Sequence, residues 1–336
     1  MNGTQRALAA VHFEPVDRAA VMPQVFGHAA LLADVPLGDY VRSGELLARC
    51  QLRALEQYGY DAVFAVMDVQ VETEALGSEL VYRPDLYPVV GRYVLQDGFD
   101  PQTLRLPDPV RDGRMPELLK ALRLLRAELG DETLVVGCVA GPMTLVTQLL
   151  GIETALYLAI DETERFVQLL DFAARVAVEF GLAQIEAGAH LPLVFDPSSS
   201  PDVIPPQFYR EFVLPHLERV FLAFKTAGAV LNWLHTAGPV KPILPYYAQA
   251  GVDLANIDFC VDLSEAAGLL PHMALNGNIR PLAFVQGDPR QIESESRRAL
   301  EQFAQRGGFV LSSGCEIPLE ARPENVRAMV QAVHRE

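Results

Sequence analysis

The chain has few cysteines, and none of them belongs to a paired motif. Its 336 residues include four cysteines and no C-x-x-C pair. These four are Cys50, Cys138, Cys260 and Cys315. Cysteines this sparse and widely spaced exclude the disulfide framework of a small secreted domain. We therefore expect reduced thiols, each serving either as a small apolar core residue or as a ligand.

Positive charge is also scarce. The chain carries 27 Lys and Arg against 43 Asp and Glu, a formal net charge of −16. A protein this acidic repels phosphate, which argues against a nucleic-acid partner and against a polyanionic substrate, unless a local cluster of Arg or Lys reverses the field. No block of like charges and no low-complexity tail occurs, so disorder is predicted only for a few terminal residues.

Apolar segments that would cross a membrane or direct secretion are missing as well. The N-terminus has no charged region followed by an apolar run and a cleavage site, and this predicts a cytoplasmic protein. One uncharged stretch, residues 134–152, contains Gly137, Gly141, Pro142 and Gly151. We interpret it as a buried strand, a tight loop and a buried helix, so no membrane partner is predicted.

Short β-branched runs recur along the chain, and most are followed by a longer helical pattern. Eight such runs are mostly continuous in apolar residues, as strands buried on both faces are. They are Ala19–Val25, Asp61–Val66, Thr133–Val139, Leu191–Asp196, Ala229–His235, Asp253–Asp258, Met273–Asn276 and Gly308–Ser312. The amphipathic helices between them include Pro116–Glu128, Glu162–Ala187, Pro205–Thr226 and Pro289–Arg306.

Strands that alternate with helices predict βα units with right-handed crossovers and hence a parallel sheet. Eight units suit a closed (β/α)8 TIM barrel, an α/β fold, better than an open sheet. No G-x-G-x-x-G follows the first strand, which weakens a dinucleotide-binding alternative. No linker-like composition shift divides the chain, so one domain is predicted over residues 1–336. Residues 72–107 fit no βα unit and are predicted to form a lid insertion over the barrel mouth.

Polar residues at the C-terminal ends of barrel strands are the candidates for catalysis and binding. The catalytic candidates, at the ends of the second, fourth and seventh strands, are Asp68, Asp196 and Asn276. The substrate-binding candidates in the loops after the first, seventh and eighth strands are Gln24, His28, Asn278 and Glu316. Asp68 could equally be the N-cap of the next element, and Asp196 could cap a turn.

Three further residues at strand ends are of types that bind zinc. His235 closes the fifth strand, Asp258 closes the sixth, and Cys315 follows the eighth. Each has an ordinary alternative, because a histidine at a strand end more often forms hydrogen bonds and a lone cysteine is usually a core residue. Because all three lie at strand ends that meet at one face of the barrel, a shared metal site is one alternative, and separate structural roles are the other. Cys260, two residues beyond Asp258, is ambiguous.

Motifs of a known family are spread nearly end to end along the chain. They are Glu14-Pro15-Val16-Asp17-Arg18, Asp68, Glu74-Ala75-Leu76-Gly77, Ala140-Gly141-Pro142-Met143-Thr144, Asp196-Pro197, Leu234-His235-Thr236-Ala237-Gly238, Asn276-Gly277-Asn278, Gly314-Cys315-Glu316-Ile317-Pro318 and Arg322-Pro323-Glu324-Asn325-Val326. With these motifs the chain resembles the uroporphyrinogen decarboxylase superfamily, and within it the corrinoid-dependent methyltransferase branch. The resemblance implies a (β/α)8 barrel, in agreement with the strand count made independently.

The decarboxylase itself removes carboxylates from a polycarboxylate porphyrinogen, which it holds with an arginine-bearing motif after the first strand. Residues 19–30 of this chain contain no Arg or Lys, so such a substrate would meet a large uncompensated desolvation cost. The family's tyrosine in the third-strand loop corresponds to Gln148, a further substrate-binding candidate, and its C-terminal histidine to Cys315. Only Asp68 matches. The resemblance therefore implies poor activity on uroporphyrinogen.

The methyltransferase branch holds zinc with a His-x-Cys pair after strand five and a cysteine after strand eight. In that branch an acidic residue after strand six can serve as a replaceable ligand. This sequence supplies His235, Cys315 and Asp258 but has Ala237 at the position of the first cysteine. The resemblance leaves three alternatives for the metal: a three-ligand zinc, a site completed by Cys260, or no metal.

The resemblance implies a methyltransferase that moves a methyl group between a corrinoid and a small substrate of methyl ether, methylamine or thiol type. A separate protein would carry the corrinoid, since no Asp-x-His-x-x-Gly cobalamin motif occurs in the chain. A bound zinc would act as a Lewis acid on a thiol or an ether oxygen. Two alternatives stay open: a decarboxylase-type carboxy-lyase that uses Asp68, and a family barrel that binds ligand without catalysis. The sequence leaves the oligomeric state open, a homodimer included.

Overall fold

The computed structural model describes residues 1–100 and 103–334. In chain order its strands are β1 (Ala20–Val21), β2 (Ala62–Phe64), β3 (Glu79–Val81), β4 (Val89–Arg92), β5 (Leu134–Ala140), β6 (Leu191–Phe195), β7 (Trp233–His235), β8 (Leu254–Asn256), β9 (Ala274–Ile279) and β10 (Phe309–Ser313). Eight of these strands form one parallel sheet in the order β1-β10-β9-β8-β7-β6-β5-β2, whereas β3 and β4 form a separate antiparallel pair.

Helices follow the strands of the parallel sheet and cover its outer face. They are α1 (Gly3–Val11), α2 (His28–Leu32), α3 (Leu37–Tyr40), α4 (Gly44–Tyr58), α5 (Val71–Ala75), α6 (Met115–Leu129), α7 (Pro142–Leu150), α8 (Ile152–Asp161), α9 (Thr163–Glu186), α10 (Pro206–Phe208), α11 (Leu214–Thr226), α12 (Tyr247–Ala250), α13 (Leu263–Leu269), α14 (Ala283–Gln286), α15 (Pro289–Phe303) and α16 (Pro323–Gln331). Short 3₁₀ turns lie at Pro197–Ser199 and Leu244–Tyr246.

The (β/α)8 barrel predicted from the sequence is confirmed, and each predicted run overlaps one strand of the parallel sheet. The bounds differ at several ends, and proline explains two of the differences. The first strand is shorter than Ala19–Val25 because Pro23 has no N–H to donate to a neighbouring strand. The helix predicted over Pro205–Thr226 is interrupted by a π-helical turn at Tyr209–Val213, directly before Pro215, which cannot donate the regular helical hydrogen bond.

The barrel is closed between its first and second strands by one acidic side chain. The backbone N–H of Asp61 donates to the carbonyl of Val21 at 2.9 Å, and the Asp61 carboxylate accepts from the Val21 N–H at 2.9 Å. Arg18 holds the same carboxylate through two hydrogen bonds of 2.7 and 2.9 Å. Asp61 therefore replaces the strand ladder that is missing between β1 and β2, and the barrel is nearly closed.

The interior of the barrel is apolar below and polar at the mouth. Phe64 and Trp233 pack edge to face at 5.8 Å between ring centroids within the lower core. Because alternate residues of a strand face the same side, Trp233 in the interior places His235, two residues on, inside the barrel at its C-terminal end. Asn256 and Asn276 are direct neighbours on β8 and β9 and are fully buried.

The segment 72–107 contains the end of α5 and the hairpin formed by β3 and β4; its residues 101 and 102 lie outside the described part. The hairpin contacts loops that follow strands of the barrel. The carbonyl of Pro84 accepts from the N–H of Gly38 at 2.9 Å, and the N–H of Leu95, just beyond β4, donates to Leu149 at 3.0 Å. These contacts place the hairpin on the same side of the barrel as the strand C-termini.

Within the described residues, no single helix is both long and apolar enough to cross a membrane. Helices α7 and α8 reach that length and hydropathy only when they are taken together, and they are bent by 106° relative to each other.

Candidate active site

The thiol of Cys315 and the imidazole of His235 meet at the mouth of the barrel. Cys315 follows β10, His235 ends β7, and the Sγ and Nε2 atoms are 3.5 Å apart. The ring of Phe195 stacks on the imidazole, with centroids 4.2 Å apart, because β6 and β7 pair with Phe195 beside His235. The pair therefore combines a soft sulfur atom and a ring nitrogen held in one orientation.

Both members of this pair are uncharged at neutral pH. Burial lowers the pKa of His235 to about 3 and raises the pKa of the Cys315 thiol to about 12, because each charged form would lose its hydration. When Nε2 accepts from the thiol, the ring proton is on Nδ1. That Nδ1 atom is buried and has no hydrogen-bond partner among the described residues. The pair cannot bind a carboxylate by charge.

The buried neutral imidazole predicts a pH-dependent stability. The pKa of His235 falls from 6.5 to about 3 on folding, so its contribution is complete above pH 6.5 and is lost as the pH falls towards 3. Below about pH 6.5 the stability of the wild-type protein relative to His235→Gln should fall by about 1.4 kcal/mol per pH unit. Urea denaturation of both proteins between about pH 7 and about pH 5 measures this. Parallel stability curves would contradict a buried, neutral His235.

Asp258, the third predicted metal ligand, is engaged elsewhere. One carboxylate oxygen accepts from the N–H of Gly238 at 2.9 Å, and the other accepts from the N–H of Cys260 at 3.1 Å. The carboxylate thus ties the loop after β8 to the loop after β7. The side chain of Cys260 is exposed.

The residues present fit a zinc ion only in part. The 3.5 Å between Cys315 Sγ and His235 Nε2 is roughly the separation of two ligands at about 2.3 and about 2.0 Å from one tetrahedral zinc. In the described part of the chain, no third ligand lies beside these two. Throughout residues 1–100 and 103–334, no three His, Cys, Asp or Glu side chains are arranged to hold a metal ion. His235, Asp258 and Cys315 are therefore not arranged as one three-ligand site; the Asp258 carboxylate accepts from two backbone amides, and Cys260 does not complete the set.

Asp68 is buried at the end of the second strand and is paired with a cation. Arg114 donates to its two carboxylate oxygens at 2.5 and 3.1 Å, and the N–H of Gln70 donates to it at 2.8 Å. The Nε of Arg114 also donates to Glu74 at 2.6 Å. Asp68 is therefore not the N-cap of α5, which is Gln70, and its charge is already balanced by Arg114.

Asp196 is fully buried and anchors the start of α7. Its Oδ1 accepts from the backbone N–H and the hydroxyl of Thr144 at 2.8 and 2.7 Å. The other oxygen, Oδ2, has no partner among the described residues, and burial raises the pKa of the carboxyl to about 6. The Asp196 N–H donates to the carbonyl of His235 at 2.9 Å. The backbone of Asp196 is thus hydrogen-bonded directly to that of His235, a member of the thiol–imidazole pair.

The amide side chains of the mouth form a small internal network. Gln24 donates to Asn256 at 2.7 Å, and Asn256 donates to the carbonyl of Gly314 at 2.9 Å. Neither side-chain polar atom of Asn276 has a partner among the described residues, although the residue is fully buried. Asn278 donates to the carbonyls of the loop after β8 at 2.8 and 3.2 Å.

Two of the predicted substrate-binding residues are used within the protein. His28 has both ring nitrogens satisfied, by the carbonyl of Leu319 at 2.9 Å and the hydroxyl of Tyr58 at 2.8 Å. The side chain of Gln148 accepts from the hydroxyl of Thr73, a residue of α5, at 2.7 Å. In this structure both hold neighbouring loops in place.

Glu316, next to Cys315, contacts the hairpin. The hydroxyl of Tyr87, between β3 and β4, donates to its carboxylate at 2.5 Å, and the N–H of Gly27 donates to the same oxygen at 3.3 Å. Burial raises the pKa of the Glu316 carboxyl to about 7, although both hydrogen bonds lower it. The carboxylate is therefore turned towards the hairpin.

Sequence reasoning missed Arg114 and Tyr87. Arg114 carried a signal that could have been used, because it is the N-cap residue of α6. A cation is unfavourable at a helix N-terminus, so an arginine there indicates another partner. Tyr87 carried no comparable signal, since its partner is 229 residues away in the sequence.

Together, these features define a (β/α)8 barrel with a thiol–imidazole pair at the C-terminal ends of its strands, where such barrels carry their active sites. The family model described as Uroporphyrinogen decarboxylase (URO-D) matches residues 2–336. The chain belongs to this family, as its motifs indicated.

Relatives of the chain have two different activities in their names. It is 32% identical over 304 residues to a uroporphyrinogen decarboxylase of Syntrophotalea carbinolica, with 88% of this chain and 86% of that protein covered. It is 28% identical over 335 residues to the methylcobamide:CoM methyltransferase MtaA of Methanosarcina barkeri, with 97% and 96% covered. The solved structure of a methyltransferase from Methanosarcina mazei superposes with a TM-score of 0.89 at 27% identity, covering 99% of this chain and 98% of that one.

Proposed function

We propose that this protein is a methyltransferase that moves a methyl group between a small substrate, of methyl ether, methylamine or thiol type, and a corrinoid carried on a separate protein. The observation that carries the proposal is the contact between the Cys315 thiol and the His235 imidazole at the barrel mouth. The similarity to the Methanosarcina methyltransferases over nearly the whole chain supports it.

The chemistry of the pair favours this activity over decarboxylation. A decarboxylase for a polycarboxylate needs cations to hold the substrate and an acid to protonate the product carbon. Cys315 and His235 are both neutral at neutral pH and are poor acids. Arg114, the cation that pairs with Asp68 beyond the second strand, is already shared by Asp68 and Glu74.

In this proposal the residues of the chain bind and orient the small substrate. The corrinoid, when bound with its partner protein, would supply the methyl-carrying cobalt. Cys315 and His235 present sulfur and nitrogen atoms to the reacting group of the substrate, and the stacked ring of Phe195 keeps the imidazole in one orientation. Because a complete set of zinc ligands is not formed, no step is assigned to a metal.

The test is a direct assay of the purified protein. Free methylcobalamin is offered with a panel of small thiols, and cob(I)alamin with methyl ethers and methylamines, while the cobalamin spectrum is followed. Uroporphyrinogen is assayed in parallel. Substrate-dependent methyl transfer supports the proposal. Uroporphyrinogen turnover on the order of 1 per second, typical of an enzyme on its own substrate, would assign the chain to the decarboxylases instead. Ligand binding with neither reaction would indicate a non-catalytic barrel.

A further inference from the structure

The imidazole of the thiol–imidazole pair lies in a closed part of the molecule. His235, Asp196 and Asn276 have no exposed surface and Asp258 is only 4% exposed, whereas the thiol of Cys315 is half-buried. Any substrate that reacts at Cys315 must approach through the C-terminal mouth of the barrel, because apolar side chains fill the interior beneath it. Part of the mouth must therefore move aside before a ligand can reach His235 as well as Cys315.

The hairpin of β3 and β4, residues 79–92, spans this mouth. Its turn contacts the loops after β1 and β10 through Tyr87. At its other end, the ring of Tyr93, just beyond β4, packs against Gly151 between α7 and α8. The two strands pair only with each other within the described residues, and most of their side chains are exposed. A hairpin attached in this way can move without disrupting the barrel sheet.

One residue fastens the turn of the hairpin to the barrel. The hydroxyl of Tyr87 donates to the half-buried carboxylate of Glu316 at 2.5 Å and accepts from the N–H of Gly27 at 2.8 Å. Gly27 leaves the space that this contact needs, since a Cβ there would come within 2.5 Å of the Tyr87 hydroxyl. A tyrosine hydroxyl thus joins the hairpin to two loops of the mouth at once.

The barrel side of this contact is held more firmly than the hairpin side. The N–H of Gly314 donates to Ile279 at 2.8 Å, and the N–H of Ile317 donates to Gln24 at 3.0 Å. Residues on both sides of Cys315 and Glu316 are therefore tied to β9 and to the loop after β1. When the contact of Tyr87 with Glu316 breaks, the hairpin moves and the segment that carries Cys315 stays.

We propose that the hairpin is a cover over the barrel mouth, that Tyr87 fastens it to Glu316 and Gly27, and that Tyr87 thereby determines which ligands reach Cys315 and His235. This proposal goes beyond the methyltransferase function and does not depend on it, because it concerns access to a thiol. Small ligands would enter during brief openings, and large ones only when the hairpin is fully displaced.

The test measures the rate at which Cys315 is alkylated. A Cys260→Ser background removes the exposed thiol, and Cys50 and Cys138 are buried, so Cys315 is the thiol that iodoacetamide reaches. In this background Tyr87→Phe should raise the alkylation rate about tenfold, because the closed state loses a hydrogen bond to a carboxylate. The factor by which Tyr87→Phe raises the alkylation rate should be larger for a bulky maleimide than for iodoacetamide.

Two further variants make the result specific. Gly27→Ala should also speed alkylation, because its methyl group would lie 2.5 Å from both the Tyr87 hydroxyl and Leu319 Cδ2 and so separate the hairpin from the loops after β1 and β10 while Tyr87 itself is unchanged; the helical backbone angles at this position accept alanine. Tyr93→Phe removes the same group just beyond the hairpin, where the hydroxyl makes no hydrogen bond to the described residues, and should leave the rate within about twofold. Hydrogen exchange of the hairpin amides should increase in Tyr87→Phe and Gly27→Ala only.

An unchanged alkylation rate and unchanged hairpin exchange in Tyr87→Phe would overturn the proposal. So would an equal acceleration in Tyr93→Phe, which would point to general loosening of the insertion. Neither result bears on methyl transfer, which is assayed separately with cobalamin.

Discussion

Replacement of Cys315 by serine is expected to lower kcat/KM for methyl transfer by roughly 10²–10⁴-fold while the fold is preserved. Serine keeps the size and the hydrogen bond to His235 but replaces the soft sulfur with a hard oxygen. The sulfur lies 3.5 Å from His235 Nε2 at the barrel mouth, where a substrate would meet it. The measurement is the initial rate of cobalamin-linked methyl transfer, with thermal unfolding of the same preparation.

Cys260→Ser is the matched control for this experiment. Cys260 is exposed, its backbone N–H donates to Asp258 at 3.1 Å, and its thiol also contacts that carboxylate through a hydrogen bond that a serine hydroxyl can keep, so activity should stay within about twofold of wild type. A loss equal to that of Cys315→Ser would restore the alternative in which Cys260 completes a metal site. Full activity in Cys315→Ser would remove the thiol from the reaction.

Arg114→Met is expected to lower the free energy of unfolding by about 3–5 kcal/mol. Arg114 and Asp68 are 8% and 2% exposed in their side chains, and methionine leaves Asp68 as a buried carboxylate without its counter-charge. Glu74 loses its partner at the same time. Urea denaturation of the variant and the wild-type protein measures the change.

Arg53→Met controls for the loss of an arginine as such. Arg53 pairs with Glu56 on the surface and is 57% exposed, so its replacement should change stability by less than about 0.5 kcal/mol. Addition of Asp68→Asn to Arg114→Met should recover part of the loss, because the uncompensated charge is removed. Equal stability of Arg114→Met and wild type would show that Asp68 does not depend on Arg114 as its counter-charge.

The fold was predictable from the sequence to within a few residues at most strand ends. Each buried strand is a short apolar run, and parallel strands covered on both faces require such runs. Strand ends then follow from periodicity, so His235 and Cys315 could be assigned to the same face of the barrel before any coordinates were known. The exceptions are local, as at Pro23 and Pro215, where proline removes a backbone donor.

The composition of the candidate site was only partly predictable. His235 and Cys315 meet, as predicted, because barrel closure fixes the spacing of strand ends. The role of Asp258 was not predictable, because a carboxylate at a strand end is equally suited to bind a metal and to accept hydrogen bonds from nearby backbone N–H groups. In the folded chain it binds the amides of Gly238 and Cys260. Periodicity describes the direction of a side chain and not its partner.

By itself, the sequence determined the barrel, and it predicted the mouth as the place for chemistry, with a thiol there and no Arg or Lys in residues 19–30. The residue pattern within each short segment is enough for these predictions, since hydrophobic periodicity and residue type are local properties. The tertiary structure decided which polar groups are already engaged: Asp68 with Arg114, Asp61 across the barrel seam, and Glu316 with Tyr87. These contacts join residues 40 to 229 positions apart, and a buried charge or hydroxyl takes whichever partner packing brings within hydrogen-bond distance.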